Sequence, residues 1–387
     1  MNTKEFDSKY IAGTYARFPI NLVSGKGSLL YDNEGKEYID LMSGIAVNTF
    51  GTADEEWVLA VTEQLNRLQH TSNLFYSDPA PRLASLLCEK TGMKKVFFSN
   101  SGAEANECAI KAARKYAALK KGKDCYKIIT LENSFHGRTI TTLAATGQEV
   151  FHKDFLPLTE GFIYAKANDI EDLKQKASGE DIAAIMFEVV QGEGGVMPLN
   201  PQFVSAIAEI SKEKDILLIA DEVQIGNGRS GKLYGYMNYD ITPDIVTTAK
   251  GLGGGLPIGA TLFAEKVESV FSFGDHGSTF GGNPIAAAGA ISIMERLDDE
   301  LLKSVSEKSD YIISALSGKK GIKSVSGMGL MLGIETEKDA SLVIKQCHEK
   351  GVLVIKAKNK VRLLPPLNIP MELLKKAVDI IISACEG

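Results

Sequence analysis

From about residue 94 to residue 248 the chain repeats one pattern: a short apolar run, a loop of small and polar residues, then a helical stretch. The runs fall at 96–98, 128–131, 182–190, 216–220 and 245–248. Strands that are apolar on both faces and separated by helices imply a mainly parallel sheet covered on both sides, an α/β fold. In such sheets ligands sit beyond the carboxyl ends of the strands. The residues just after each run are therefore the candidates for chemistry.

The flanks read differently. Residues 28–41 predict a hairpin turning at Asn33-Glu34-Gly35. Val58, Val61, Leu65 and Leu68 have helical spacing over about 55–68. After Pro284 an alanine-rich helix (285–297) leads to a helix near 301–316, strands near 322–335, a helix near 339–350, strands near 352–364 and a final helix near 371–384. A chain of 387 residues exceeds what one core usually serves. The expected division is a large domain at 46–282 and a smaller α+β domain built from 1–45 and 283–387. No internal repeat is visible.

Composition narrows the partners. A net charge of -6 with no basic face argues against nucleic acid. No apolar run approaches the roughly 20 residues that span a bilayer, so no membrane is expected. The N-terminus, MNTKEFDSKY, is polar and does not read as a secretory leader. Cys88, Cys108, Cys125, Cys347 and Cys385 are scattered and lack C-x-x-C spacing. They predict reduced thiols in the cytoplasm, with no disulfide framework and no metal site.

Five groups follow the strands. Ser101-Gly102-Ala103 opens a helix, where exposed N–H groups and the positive dipole end cradle an anion; a plain N-cap explains the serine equally. Phe135 is placed to stack on a planar ring and Arg138 to take a carboxylate. His136 reads as structural rather than as a base. Glu188 and Glu193 form a pair of carboxylates like that of a glycosidase, or else a glycine-rich loop brings the chain close to a ligand. An apolar strand delivers Asp221, a buried acid that needs a partner; Arg229 and a protonated ring nitrogen are the two alternatives. Last comes Lys250 in TTAKGLGGGLPIG, where desolvation would make the amine a nucleophile toward carbonyls. Anion cradle, ring stacker, buried acid and strand-end lysine together are what a pyridoxal 5′-phosphate site requires. A dinucleotide-binding dehydrogenase is excluded, because no G-x-G-x-x-G follows the first strand.

The motifs TYARFPI, HTSNLFY, FFSNSGAEANE, FHGRT, VVQGEGG, DEVQIGNGRSGKL, AKGLGGGLPIGA, GSTFGGNP and VRLLPPLNI run nearly end to end. In that order the chain resembles the class III aminotransferases of fold type I, in their acetylornithine/ornithine branch. The resemblance implies a seven-stranded large-domain sheet and a pyridoxal-phosphate enzyme. It would move the terminal amino group of N2-acetyl-L-ornithine to 2-oxoglutarate, as part of arginine biosynthesis. Ornithine, succinyl-ornithine, N-succinyl-diaminopimelate and 4-aminobutyrate are alternative donors. A non-catalytic pyridoxal-phosphate sensor is the alternative of another class.

Carried over by resemblance, Lys250 bonds the cofactor and shuttles a proton, Asp221 meets the ring nitrogen, and Val223 and Phe135 face the ring. Gln224 lies near the phenolic oxygen, and Ser101, Gly102 and Ala103 bind phosphate. Thr279 reaches the phosphate of a partner subunit, which implies a homodimer with shared sites. Tyr15, Ser278, Arg138 and Arg362 meet substrate, with Glu193 as a switch that neutralises one arginine. The chain departs from the family at Thr52–Trp57, where a Gly-His-x-His-Pro-like run is usual. It also carries Val189 where proline is common.

Overall fold

The computed structural model describes residues 2–386. An N-terminal ribbon holds β1 (Leu22–Lys26), β2 (Leu29–Asp32) and β3 (Glu37–Asp40). Then follow β4 (Lys95–Ser99), β5 (Lys127–Leu131), β6 (Phe162–Ala165) and β7 (Ile182–Phe187). After a short antiparallel pair, β8 (Val190–Gln191) and β9 (Met197–Pro198), come β10 (Leu217–Asp221), β11 (Ile245–Thr248) and β12 (Gly259–Phe263). The C-terminal part adds β13 (Ile322–Met328), β14 (Met331–Thr336), β15 (Val352–Leu353), β16 (Ile355–Ala357) and β17 (Lys360–Leu363).

The large sheet has seven strands in the order β4-β12-β11-β10-β7-β5-β6. The pairs β11–β10, β10–β7, β7–β5 and β5–β6 are parallel. β12 runs antiparallel to both its neighbours, β4 and β11. The other six strands therefore point the same way, and their carboxyl ends share one edge. Every residue of β7, β10, β11 and β12 is buried, which is why these runs are mostly apolar rather than alternating.

The sequence reading needs three corrections. The apolar run 182–190 is two elements: β7 ends at Phe187, and β8 turns away to pair with β9. β6 and β12 were not anticipated. β12 opens on a glycine and follows a loop already dense in glycine, so its five residues carry little strand signal. The helix Pro79–Thr91 was also missed, although proline in its first turn and Gly92 in the left-handed region (φ 76°) mark its ends.

The N-terminal hairpin joins the C-terminal segment through β3, which pairs in parallel with β15 (Ile39 opposite Val352). The C-terminal sheet, β13-β14-β17-β16, is antiparallel throughout. A buried cation ties it to the large sheet. Arg229 is 2% exposed and donates from Nη1 to the carbonyls of Leu330 (3.0 Å) and Pro365 (2.8 Å). Burial pushes its guanidinium down to about 9, and Asp40 opposes the shift.

Replacing Arg229 with methionine leaves two buried carbonyls without donors, at about 1–3 kcal/mol each. The melting temperature of Arg229→Met should fall by several degrees; an unchanged melting temperature would remove Arg229 from this role.

Candidate active site

A cavity of about 420 Å³ opens at the carboxyl edge of the large sheet. Its lining comes from the segments after β4 (Asn100–Ala103), β5 (Phe135–Arg138), β7 (Glu188), β10 (Asp221, Val223, Gln224) and β11 (Ala249, Lys250). Strand-end reasoning therefore located most of the site.

Asp221 is 4% exposed. Its Oδ2 accepts from Asn106 Nδ2 (2.8 Å) and faces His136 Nδ1 (2.7 Å), and its Oδ1 accepts from the backbone N–H of Val223 (3.0 Å). A carboxylate can only accept, so His136 carries its proton on Nδ1. This removes Arg229 as the partner of Asp221: the guanidinium is engaged elsewhere, and the acid borders the cavity. His136 holds Asp221 through this contact. Asn106 was missed. An asparagine inside an alanine-rich helix could have signalled it, since a buried amide there must find a partner.

Ser101 caps the helix Gly102–Lys121 by accepting from the Glu104 N–H (3.2 Å). Its hydroxyl is thus committed to the helix, in keeping with the plain-cap alternative, while Gly102 and Ala103 line the cavity. The first amides of a helix have no acceptor within it and can receive an anion. A Cβ at Gly102 would lie 2.5 Å from Val223 Cγ1, so only glycine lets this cradle sit beside Val223.

Lys250 has φ 45°, a left-handed conformation uncommon outside glycine. Such strain persists where the surroundings over-determine it, and it clusters at functional sites. Burial pushes its amine down to about 8; Glu193 opposes this, Arg362 adds to it, and Asp221 and Glu188 oppose it. Part of the amine is thus neutral near physiological pH, as a nucleophile needs.

The two glutamates separate. Glu188 accepts from the N–H groups of Phe135 (2.9 Å) and Gly192 (3.4 Å), and burial raises it to about 7. Glu193 is paired with Arg362 Nη1 at 2.5 Å, and Gln224 Oε1 accepts from the same nitrogen at 3.0 Å. Burial raises the Glu193 carboxyl, but the guanidinium more than offsets this and holds it below its usual range. The arrangement is one ion pair and one structural acid, not a glycosidase pair.

Arg138 is exposed at the rim, its guanidinium 4.2 Å from the ring centroid of Phe151 and 5.4 Å from that of Phe135. Ser278 Oγ accepts from Asn100 Nδ2 (3.1 Å) beside the cavity. Thr279 and Tyr15 are exposed and do not line it. Leu74, Phe75, Tyr76, Phe273 and Phe280 are strongly exposed, and Asn73 Nδ2 donates to the carbonyls of Ser278 and Gly281 on either side of Thr279.

The family described as Aminotransferase class-III matches residues 10–385. The chain belongs to that family. It is 49% identical to an acetylornithine aminotransferase of Haemophilus ducreyi over 98% of this chain and 97% of that protein. One from Caldanaerobacter subterraneus subsp. tengcongensis is 47% identical, covering 97% of each. Among solved structures, an ornithine aminotransferase from Toxoplasma gondii superposes with a TM-score of 0.95 at 31% identity, covering 100% of this chain and 95% of that one. An N-acetylornithine aminotransferase from Stenotrophomonas maltophilia gives 0.84 at 36%, covering 96% of each.

This chain is an aminotransferase whose cofactor is pyridoxal 5′-phosphate and whose substrates are an amino donor and a keto acid. Its residues fit that group: a glycine cradle that a Cβ would fill, a lysine amine lowered to about 8, and a buried acid that shares the cavity lining with Phe135 and Val223.

Gly102→Ala should fold normally but lose most of its cofactor affinity, because its Cβ and Val223 compete for one space. Adding Val223→Ala should restore part of it. Equilibrium dialysis against pyridoxal phosphate reads both; undiminished affinity in Gly102→Ala would contradict the cradle.

Proposed function

We propose that the chain transfers the terminal amino group of N2-acetyl-L-ornithine to 2-oxoglutarate, giving N-acetyl-L-glutamate 5-semialdehyde and L-glutamate in arginine biosynthesis. The observation that carries this reading is the ion pair between buried Arg362 and half-buried Glu193. A donor presenting its terminal amine brings no carboxylate to that position, so the arginine needs an internal counter-ion. 2-Oxoglutarate does bring one and displaces Glu193.

When bound, pyridoxal phosphate supplies an aldehyde for the amine and a ring that takes up electrons from the carbon losing its proton. The protein would do the rest. Gly102 and Ala103 would hold the phosphate, and Phe135 and Val223 would flank the ring. Asp221 would keep the ring nitrogen protonated, with Gln224 near the phenolic oxygen. Lys250 would bond the cofactor, and its Nζ, once released, would take the proton from the substrate carbon and deliver it to the cofactor's aldehyde-derived carbon, on the other side of the nitrogen. Arg138 would bind the donor's α-carboxylate, with Ser278 alongside.

We further infer a homodimer. Large side chains such as Leu74, Phe75, Tyr76, Phe273 and Phe280 are strongly exposed, and contacts between subunits would bury side chains of this kind. There Thr279 would reach the partner's phosphate, and Tyr15 a substrate. We take 46–282 as the cofactor-binding domain and 1–45 with 283–387 as the smaller one. A cytoplasmic location agrees with five free thiols. No helix among the described residues is long and apolar enough to cross a membrane.

The second reading is ornithine as donor, in line with the Toxoplasma likeness. Measurement of kcat/KM should favour acetylornithine over ornithine and 4-aminobutyrate by about tenfold or more, an energy of about 1.4 kcal/mol. A preference for ornithine would move the assignment to that reading. Glu193→Gln should raise glutamate as donor relative to acetylornithine, because Arg362 then stays free; an unchanged ratio would argue against the switch.

A further inference from the structure

The stretch Thr52–Trp57, where the chain departs from its family, packs against the lysine loop. Asp54 caps the helix Glu55–Leu65 by accepting from the Trp57 N–H (3.0 Å). Both its oxygens are held by Arg296, at 2.7 and 3.1 Å, and that guanidinium lies 4.0 Å from the ring centroid of Phe50. So anchored, Trp57 donates from Nε1 to the carbonyl of Gly253 at 3.0 Å. Gly253 in turn donates to the Lys250 carbonyl at 3.0 Å, which closes the turn begun by the lysine.

The indole fits where side chains are missing. A Cβ at Gly254 would stand 2.9 Å from Trp57 Nε1, and one at Gly289 would stand 2.8 Å from it. Gly289 lies inside the helix Pro284–Glu295, where glycine costs about 1 kcal/mol against alanine. The ring takes up the space that this glycine leaves. Gly255, the next residue of the loop, lines the cavity itself.

We propose that Trp57 is a positioning residue for Lys250: its indole N–H, clamped between Gly254 and Gly289, fixes the turn that aims the lysine amine into the cavity. This rests on the reading of Lys250 as the residue that bonds the cofactor. The charged groups facing Lys250 are Glu193, Arg362, Asp221 and Glu188. None is on the helix of Trp57, and the indole is uncharged. Removing it can alter the lysine's titration only through position and burial.

The test is covalent capture of pyridoxal phosphate by the full-length apoenzyme, trapped with borohydride and followed against pH. Only the neutral amine reacts. The wild-type rate should therefore rise with pH and level off above about 8, not near the ordinary 10.5. Trp57→Phe keeps a ring but loses the donor. It should melt near the wild type, capture roughly three- to tenfold more slowly, as loss of one hydrogen bond implies, and level off at higher pH. Gly289→Ala displaces the indole from outside the site and should shift rate and profile the same way. It alone decides if Trp57→Phe does not fold. Wild-type rates with an unmoved profile in these variants would overturn the proposal. Lys250→Ala is run beside them. If it still captures cofactor covalently, the lysine assignment itself fails; if it does not and Trp57→Phe behaves as wild type, only the role of Trp57 fails.

Discussion

A carboxylate at the end of a fully buried strand is the constraint from which this site follows. Asp221 leaves water when β10 packs between β11 and β7. A charge so placed costs several kcal/mol unless it is hydrogen-bonded. Its partners come from different strand ends: Asn106 from the helix after β4, His136 from the loop after β5, and the Val223 N–H from its own turn. Satisfying one acid therefore draws these segments to one edge of the sheet. The cavity is the space left between them, and Asp221 lines it.

Around that acid the charges are graded. Glu188 is raised to about 7 by burial and spends its oxygens on backbone N–H groups. Glu193 is held low by Arg362, and Lys250 is brought down to about 8. The site thus keeps an amine lowered by burial close to an ion pair. Groups whose surroundings push their titrations apart take different roles in one reaction.

The strand-end rule made much of this legible in advance. Lys250, Asp221, Phe135, Arg138 and Gly102 each follow an apolar run, and each lines the cavity. What escaped depends on contacts between residues far apart in the chain. Asn106 and His136 become partners of Asp221 only when three strand ends meet. β12 is an antiparallel insertion whose small residues give no period of their own. Ser101 lines the cavity while its hydroxyl also caps a helix. Tyr15 and Thr279 are exposed and stand outside this cavity. The residues at Thr52–Trp57 read as a missing motif; folded, they are a clamp of Asp54, Arg296 and Trp57 against the glycines that follow Lys250.

The most direct test of the account is where the cofactor attaches. The purified enzyme would be reduced with borohydride in the presence of pyridoxal phosphate, digested, and its peptides mapped by mass spectrometry. The account predicts a single modified peptide with the added mass on Lys250. Modification at another lysine, or none at all, would contradict it.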